Sequence, residues 1–158
     1  MKKIILLLFI IASSLTSQAQ SSCRAEFSYA PSGNRCGSGY FKVYDVLGAA
    51  KKIGYVSSGF MGTANDGKFV SIKNIGAIPQ GTYSLSIKSS SKNIFRLNPI
   101  SIKGSYGRNG FLIHGYKKGQ SKEEASRGCI ILDYNQRKAL RKAFDECNGE
   151  MILKVKTK

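Results

Sequence analysis

Short apolar runs alternate with turn-forming residues along most of this chain. Clusters of Gly, Asn and Ser separate the runs, for example Asn65-Asp66-Gly67 and Arg108-Asn109-Gly110. Residues 82–87 alternate polar and apolar positions, which is typical of a strand with one buried face. Many short strands with regular turn signals predict a mainly β fold, a sandwich or a barrel. The predicted strands are 40–46, 53–58, 69–72, 82–87, 94–97, 111–114, 130–132 and 151–155.

The C-terminal half contains one predicted α-helix, over about residues 134–147. Asp133 is a suitable N-cap, Gln136 completes a capping-box pattern, and Gly149 follows the predicted end. Apolar residues recur at helical spacing and predict one buried face, on which Cys147 is a buried thiol. The residues of this face are Leu140, Ala143, Phe144 and Cys147.

The N-terminus has the pattern of an export signal. Lys2 and Lys3 precede an apolar run over 4–12, and small residues stand three and one before a cut after Ala19. The run is too short for a permanent transmembrane helix. We therefore predict a removed signal peptide over 1–19 and a periplasmic or secreted protein. Lipid attachment at Cys23 is the less favoured alternative, because residues 20–22 lack the apolar residue expected before a lipidated cysteine.

The rest of the chain is long enough for one domain and has no later segment that would cross a membrane. We divide it into an N-terminal segment over 20–39 and a main domain over 40–158. The net charge of +16 favours a polyanionic partner such as an anionic cell-wall polymer. Export argues against nucleic acid as that partner.

Four cysteines in an exported chain suggest disulfide bonds, and three pairings are possible. Cys23 and Cys36 bracket a loop-like segment that contains Pro31 and Gly33. We predict a Cys23–Cys36 disulfide that fastens the new N-terminus, and a free, reactive Cys129.

His114, the only histidine of the chain, and Cys129 stand at the ends of two apolar runs. His114 ends the run 111–114, and Cys129, after Gly128, begins the run 129–132. Antiparallel pairing of these runs would place the two side chains opposite each other, at the mouth of a loop over 115–128.

This pair of residue types supports nucleophilic catalysis. An imidazolium lowers the pKa of a neighbouring thiol, and a neutral imidazole accepts the thiol proton. The amides around Gly128 and Cys129 are candidates for an oxyanion hole, and the carbonyl of Gly115 is a candidate for orienting His114. One histidine and scattered cysteines lack zinc-site spacing, so we predict no metal and no cofactor.

Several motifs resemble one family of cell-wall enzymes. His114-Gly115, followed by residues 126–130 (SRGCI), resembles the active-site signature of the L,D-transpeptidases, which have the YkuD-like fold. The upstream motifs are similar to the type VI effector L,D-transpeptidase-like (Tlde1) domain, and the similarity covers about 40–155. These motifs are 75–83 (IGAIPQGTY), 97–99 (LNP), 107–108 (GR) and 111–115 (FLIHG).

The resemblance implies a mostly β fold and a cysteine enzyme that acts on the stem peptides of peptidoglycan. Cys129 would be the nucleophile and His114 the base, while Ser126 and Gly128 would shape the loop. A thioester would form and then react with an amine or with water, giving transpeptidation or L,D-carboxypeptidase activity. Arg127 stands where many L,D-transpeptidases have a second histidine, and Ile131 where many have arginine, which leaves the substrate step open.

Two further aspects of the site remain open in the sequence. Arg108 and Arg127 are candidates for binding a substrate carboxylate by bidentate pairing. Two other hypotheses compete with the enzyme: a non-catalytic, basic cell-wall-binding module of the same fold, and a structural protein in which Cys129 pairs with Cys147.

Overall fold

The computed structural model describes residues 23–29, 39–104 and 106–157. The predicted signal peptide over 1–19 and Cys36 lie outside the described residues.

Eight strands of the described chain form a closed barrel, so the prediction of a mainly β fold is confirmed. Their order around the barrel is β1-β2-β3-β7-β6-β5-β4-β8. The strands are β1 (Arg24–Tyr29), β2 (Gly39–Tyr44), β3 (Ala50–Ser58), β4 (Gly81–Ser89), β5 (Ile94–Ile102), β6 (Leu112–His114), β7 (Ile130–Ile131) and β8 (Ile152–Thr157). The helices are α1 (Lys122–Ala125) and α2 (Tyr134–Glu146), with 3₁₀ turns at Met61–Thr63 and Gly67–Phe69.

The first strand was not predicted from the sequence. In β1, Ala25, Phe27 and Tyr29 are buried and alternate with partly exposed residues. The strand pairs antiparallel with β2 and parallel with β8, and it thereby closes the barrel. The barrel therefore begins before residue 40, inside the segment 20–39 that we had set apart.

The predicted strand over 69–72 is wrong. Gly67–Phe69 is a 3₁₀ turn, and the Ile72 N–H donates to the Phe69 carbonyl at 2.9 Å. The chain therefore continues here in successive turns that are closed by local hydrogen bonds.

Helix α2 covers one side of the barrel, and its predicted position is confirmed. Asp133 and Gln136 form a reciprocal capping box, with hydrogen bonds of 2.8 and 2.9 Å. Leu140, Ala143 and Phe144 are buried, and the Phe144 ring meets Phe95 with centroids 5.3 Å apart. The apolar stripe thus packs into the barrel core as its spacing indicated.

The disulfide joins Cys23 to Cys147, so the predicted Cys23–Cys36 bond and the predicted buried thiol at Cys147 are both wrong. Parallel pairing of β1 with β8 aligns Arg24 with Ile152 and brings Cys23 beside the turn that follows α2. This proximity depends on closure of the barrel and cannot be seen from local sequence. Cys129 is the free cysteine of the described residues, which also excludes a Cys129–Cys147 bond.

Strands β6 and β7 pair in parallel, not antiparallel as we expected. Ile113 is aligned with Ile130, and His114 with Ile131. The connection from Gly115 to Cys129 therefore returns along the barrel and carries α1 on its way. This connection is long enough for the crossover that two parallel strands require. The expected antiparallel pairing of the two runs is therefore wrong.

Candidate active site

The parallel pairing of β6 and β7 brings the chain segments of His114 and Cys129 together. Ile113 and Ile130 are buried in the core, and successive side chains of a strand point to opposite faces. His114 follows Ile113 in β6, and Cys129 directly precedes β7. His114 is aligned with Ile131, so Cys129 lies two residues before the position opposite His114. Both are partly buried.

The imidazole of His114 is oriented by the main chain. Its Nδ1 lies 2.6 Å from the carbonyl oxygen of Gly115. Because a carbonyl only accepts hydrogen bonds, Nδ1 carries the proton, and Nε2 is left as the acceptor of a neutral ring. Burial lowers the pKa of His114, and the charges of Arg137 and Lys88 lower it further, against the opposing effect of Gly115. The ring is therefore neutral at neutral pH.

The thiol of Cys129 is also favoured in its neutral form. Burial raises the pKa of Cys129, although the Leu112 amide and the charges of Lys88 and Arg108 oppose this effect. The direction differs from our expectation that an imidazolium would lower the pKa of the thiol. The two groups are therefore suited to proton transfer from a thiol to a neutral imidazole, rather than to a standing ion pair.

Ser126 holds the loop before Cys129 together. Its buried Oγ donates to the Cys129 carbonyl at 2.7 Å and accepts from the amides of Gly59 at 2.8 Å and Gly128 at 3.1 Å. The hydroxyl thus uses its one donor and both acceptor positions. The Gly128 amide is engaged inside the loop, so it does not fit the predicted role of an oxyanion donor.

Gly128 occupies a position that admits no side chain. Its φ is +115°, and a Cβ would collide with the guanidinium of Arg108. Its carbonyl accepts a hydrogen bond from the Oγ of Ser58 at 3.0 Å, which ties the loop to the end of β3.

Arg108 is buried beneath this loop, with 5% of its surface exposed. Its guanidinium donates to the carbonyls of Ala77 and Gly76 at 2.8 Å, to Val70, and at 3.4 Å to Arg127. A substrate carboxylate would have to displace these main-chain partners. The predicted carboxylate-binding role therefore does not fit Arg108, which instead supports the turns and the loop around Cys129.

Arg127, in contrast, is exposed and lies over the Phe60 ring, 3.8 Å from its centroid. It lines a cleft of about 460 Å³ beside the Cys129 loop. This position leaves the guanidinium accessible to a ligand.

Two cationic residues near the pair were missed from the sequence. Lys88 on β4 affects the pKa of both Cys129 and His114, and Arg137 on α2 affects that of His114. The Arg137 guanidinium donates to the Leu132 carbonyl at 2.7 Å and fills the space over Gly115. Both residues come from elements remote in the sequence, and no local motif marked them.

Within the described ranges, no group of three or more His, Cys, Asp and Glu side chains could hold a metal ion. None of the helices in the same ranges is long and apolar enough to cross a membrane.

The comparisons with solved structures find the helical cell shape determining protein Pgp2 from Campylobacter jejuni. Its identity to this chain is 19%, with a TM-score of 0.44, over 85% of this chain and 48% of Pgp2. A point mutant of the same protein gives 20% identity and a TM-score of 0.46, over 85% of this chain and 47% of the mutant. The chain thus spans about half the length of Pgp2. No curated protein matches the chain.

The family comparison covers most of the barrel. The model of the Tlde1 domain matches residues 54–157, which include most of β3, all later strands, His114 and Cys129. The chain therefore belongs to the Tlde1 domain family, an L,D-transpeptidase-like family of peptidoglycan-modifying proteins.

Proposed function

We propose that this protein is an exported cysteine enzyme that cleaves or exchanges L,D-peptide linkages in the stem peptides of peptidoglycan, as an L,D-transpeptidase or an L,D-carboxypeptidase. The observation that supports the proposal is the parallel register of β6 and β7, which aligns His114 with Ile131, two residues after Cys129. Family membership supports the class of substrate.

In the first half-reaction, Nε2 of His114 accepts the Cys129 proton as sulfur attacks the carbonyl carbon of the linkage. The hydrogen bond from Nδ1 to Gly115 fits this direction of transfer, because it keeps Nε2 unprotonated. The negative charge that forms on the substrate oxygen requires donors, and the main-chain amide of Cys129 is our candidate. The His114 imidazolium then protonates the leaving amine, the C–N bond breaks, and a thioester remains.

In the second half-reaction, His114 removes a proton from an incoming amine or water, which attacks the thioester carbonyl. The C–S bond breaks and the proton returns to the Cys129 sulfur, so that the enzyme is regenerated. An amine yields a new peptide bond, and water yields a trimmed stem. The buried hydrogen bonds of Ser126 support both steps by fixing the Cys129 loop.

Two observations support action outside the cytoplasm. The Cys23–Cys147 disulfide fits an oxidising compartment. The net charge of +16, or 16 − 2 = +14 without Lys2 and Lys3 of the predicted signal peptide, favours an anionic cell-wall polymer as a partner. The signal pattern over 1–19 agrees with both.

The test compares the wild type with Cys129→Ala and His114→Gln on purified muropeptides, with products identified by mass spectrometry. We expect trimmed or cross-linked stems from the wild type, and a loss of at least about a hundred-fold in rate for each variant, because general-base and nucleophilic catalysis are removed. A covalent thioester trapped on Cys129 would identify the intermediate.

Ser91→Ala is a suitable control, since Ser91 is exposed in the turn between β4 and β5. Identical product profiles for the wild type and Cys129→Ala would refute the proposed enzyme activity. Binding of peptidoglycan by both proteins without turnover would then favour the non-catalytic wall-binding module.

A further inference from the structure

A basic cleft lies beside the Cys129 loop, between the end of β3 and the crossover connection. Phe60 and Met61 form one wall, Lys117 and Lys118 form the other, and Arg127 and Glu124 also line the cleft, which has a volume of about 460 Å³. We infer that this cleft binds free carboxylates of an acidic stem peptide. The peptide carbonyl next to these carboxylates is then presented to Cys129. The inference rests on the proposed function and names the charge that the substrate must carry.

The cations of the cleft have no acidic partners in the described part of the chain. The ion pairs of the described residues do not include Lys117, Lys118 or Arg127. In contrast, Lys122 of the neighbouring helix α1 pairs with Asp133. Three cations that line one concave surface repel one another, and an anionic ligand relieves that repulsion.

The one carboxylate of the cleft is already engaged. Glu124 accepts a hydrogen bond from the Ser121 amide at 2.7 Å as part of the capping box of α1. These hydrogen bonds lower the pKa of Glu124. Its carboxylate therefore caps a helix, and the net charge of the cleft stays positive.

The Phe60 wall is rigidly held. The Phe60 amide donates to the Ile75 carbonyl at 2.7 Å, and Oγ1 of Thr63 donates to the Phe60 carbonyl at 2.7 Å. The Phe60 ring supports the guanidinium of Arg127, and stacking of this kind restricts the guanidinium without neutralising its charge. Its Nη1 donates to the carbonyls of Glu124 and Ser126 at 3.4 Å, and the exposed guanidinium keeps other N–H donors for a carboxylate.

The opposite wall is a tight turn. The Gln120 amide donates to the Lys117 carbonyl at 3.1 Å, and Gly119 has a φ of +82°. This turn presents Lys117 and Lys118 as exposed side chains. The two lysines are therefore accessible to a ligand in the cleft.

The cleft is connected to the Cys129 loop by short covalent and hydrogen-bonded paths. Arg127 precedes Cys129 by two residues, and the Gly59 amide, next to Phe60, donates to Ser126 at 2.8 Å. A peptide held in the cleft is therefore positioned relative to the sulfur by the same hydrogen bonds that shape the loop.

The experiment measures binding in the catalytically inactive Cys129→Ala protein by isothermal titration calorimetry. The probes are a peptidoglycan tetrapeptide with free side carboxylates and the same peptide with those carboxylates amidated. We expect amidation to weaken binding about ten-fold, and Lys117→Glu/Lys118→Glu to weaken binding of the acidic peptide by at least as much. In the charge-reversed protein, amidation should no longer weaken binding.

Lys51→Glu/Lys154→Glu is the matched control, with the same change in net charge. Lys51 is the second residue of β3, Lys154 lies on β8 across the barrel from β7, and both are exposed. An equal loss of binding in this control would overturn the inference, because net charge alone would then explain the effect. Equal affinity of the original protein for the two peptides would also overturn it.

Turnover of the same peptides by the wild type separates the two proposals. Turnover without preference for the free carboxylates would overturn the carboxylate-binding role of the cleft but not the proposed enzyme activity. Carboxylate-dependent binding in the cleft without turnover would overturn the proposed enzyme activity but not the binding site.

Discussion

At the scale of single residues, desolvation and one main-chain hydrogen bond determine the protonation of the candidate pair, Cys129 and His114. Burial raises the pKa of Cys129 and lowers the pKa of His114, so each group is driven towards its neutral form. The Gly115 carbonyl selects the tautomer whose Nε2 accepts a proton. A neutral thiol and a correctly oriented base suit a reaction in which the proton moves only when the substrate is attacked.

The pH dependence of reactivity tests this arrangement. Since Cys129 has a raised pKa, we expect iodoacetamide alkylation of the free enzyme to be slow at pH 7 and to increase into the alkaline range. Since His114 has a lowered pKa and acts as a neutral base, kcat/KM should persist as pH falls past the usual imidazole value of 6.5 and decline only below it.

The two profiles are measured by mass-spectrometric labelling and by muropeptide turnover. His114→Gln should remove the acid limb of turnover and leave the alkaline rise of alkylation in place. Alkylation that is already maximal near pH 6 would contradict the neutral pair and indicate a thiolate–imidazolium pair.

At the scale of elements, the Cys129 loop is held by segments that lie far apart along the chain. The end of β3 contributes Ser58 and the Gly59 amide, and Arg108 reaches both the turn at 70–77 and the Arg127 carbonyl. The guanidinium is suited to this position because its donors can satisfy several buried carbonyls at once. The motifs Gly76-Ala77 and Gly107-Arg108 therefore act on the site through the backbone of the loop.

Arg108→Gln should lower the free energy of unfolding by about 2–4 kcal/mol, because buried carbonyls lose their donor. Urea unfolding measures this change. Arg96→Gln is the control, since Arg96 is exposed on β5 and should change stability by less than about 0.5 kcal/mol. Equal effects of the two substitutions would contradict the supporting role of Arg108.

At the scale of the whole molecule, the barrel is closed by its two terminal strands. Strand β1 lies between β2 and β8, and the Cys23–Cys147 disulfide fastens its beginning to the end of α2. The two cysteines are separated by 124 residues, so the cross-link restricts a large part of the unfolded chain.

Reduction of this disulfide, or Cys147→Ser, should lower the free energy of unfolding by about 2–5 kcal/mol. Cys129→Ser should keep the full sensitivity to reductant, since Cys129 is free. Denaturant unfolding with and without reductant measures the change, and a non-reduced peptide map identifies the bond. A map that joins Cys23 to Cys36 would contradict the pairing.

The local pattern of the sequence determined the mainly β class, most strand positions, α2 with its capping box, and the choice of Cys129 and His114 as candidates. These features depend on neighbouring residues: alternation defines a strand face, and helical spacing defines a stripe. The Tlde1 motifs were likewise readable because each lies within a short segment.

Tertiary structure alone decided the features that join distant segments. It assigned 24–29 to a closing strand, paired Cys23 with Cys147, and made β6 and β7 parallel. It also buried Arg108 beneath the Cys129 loop. The physical reason is that each of these contacts joins chain segments far apart in sequence. Which segments meet depends on closure of the barrel and on the need to satisfy buried polar groups, and a local pattern encodes neither.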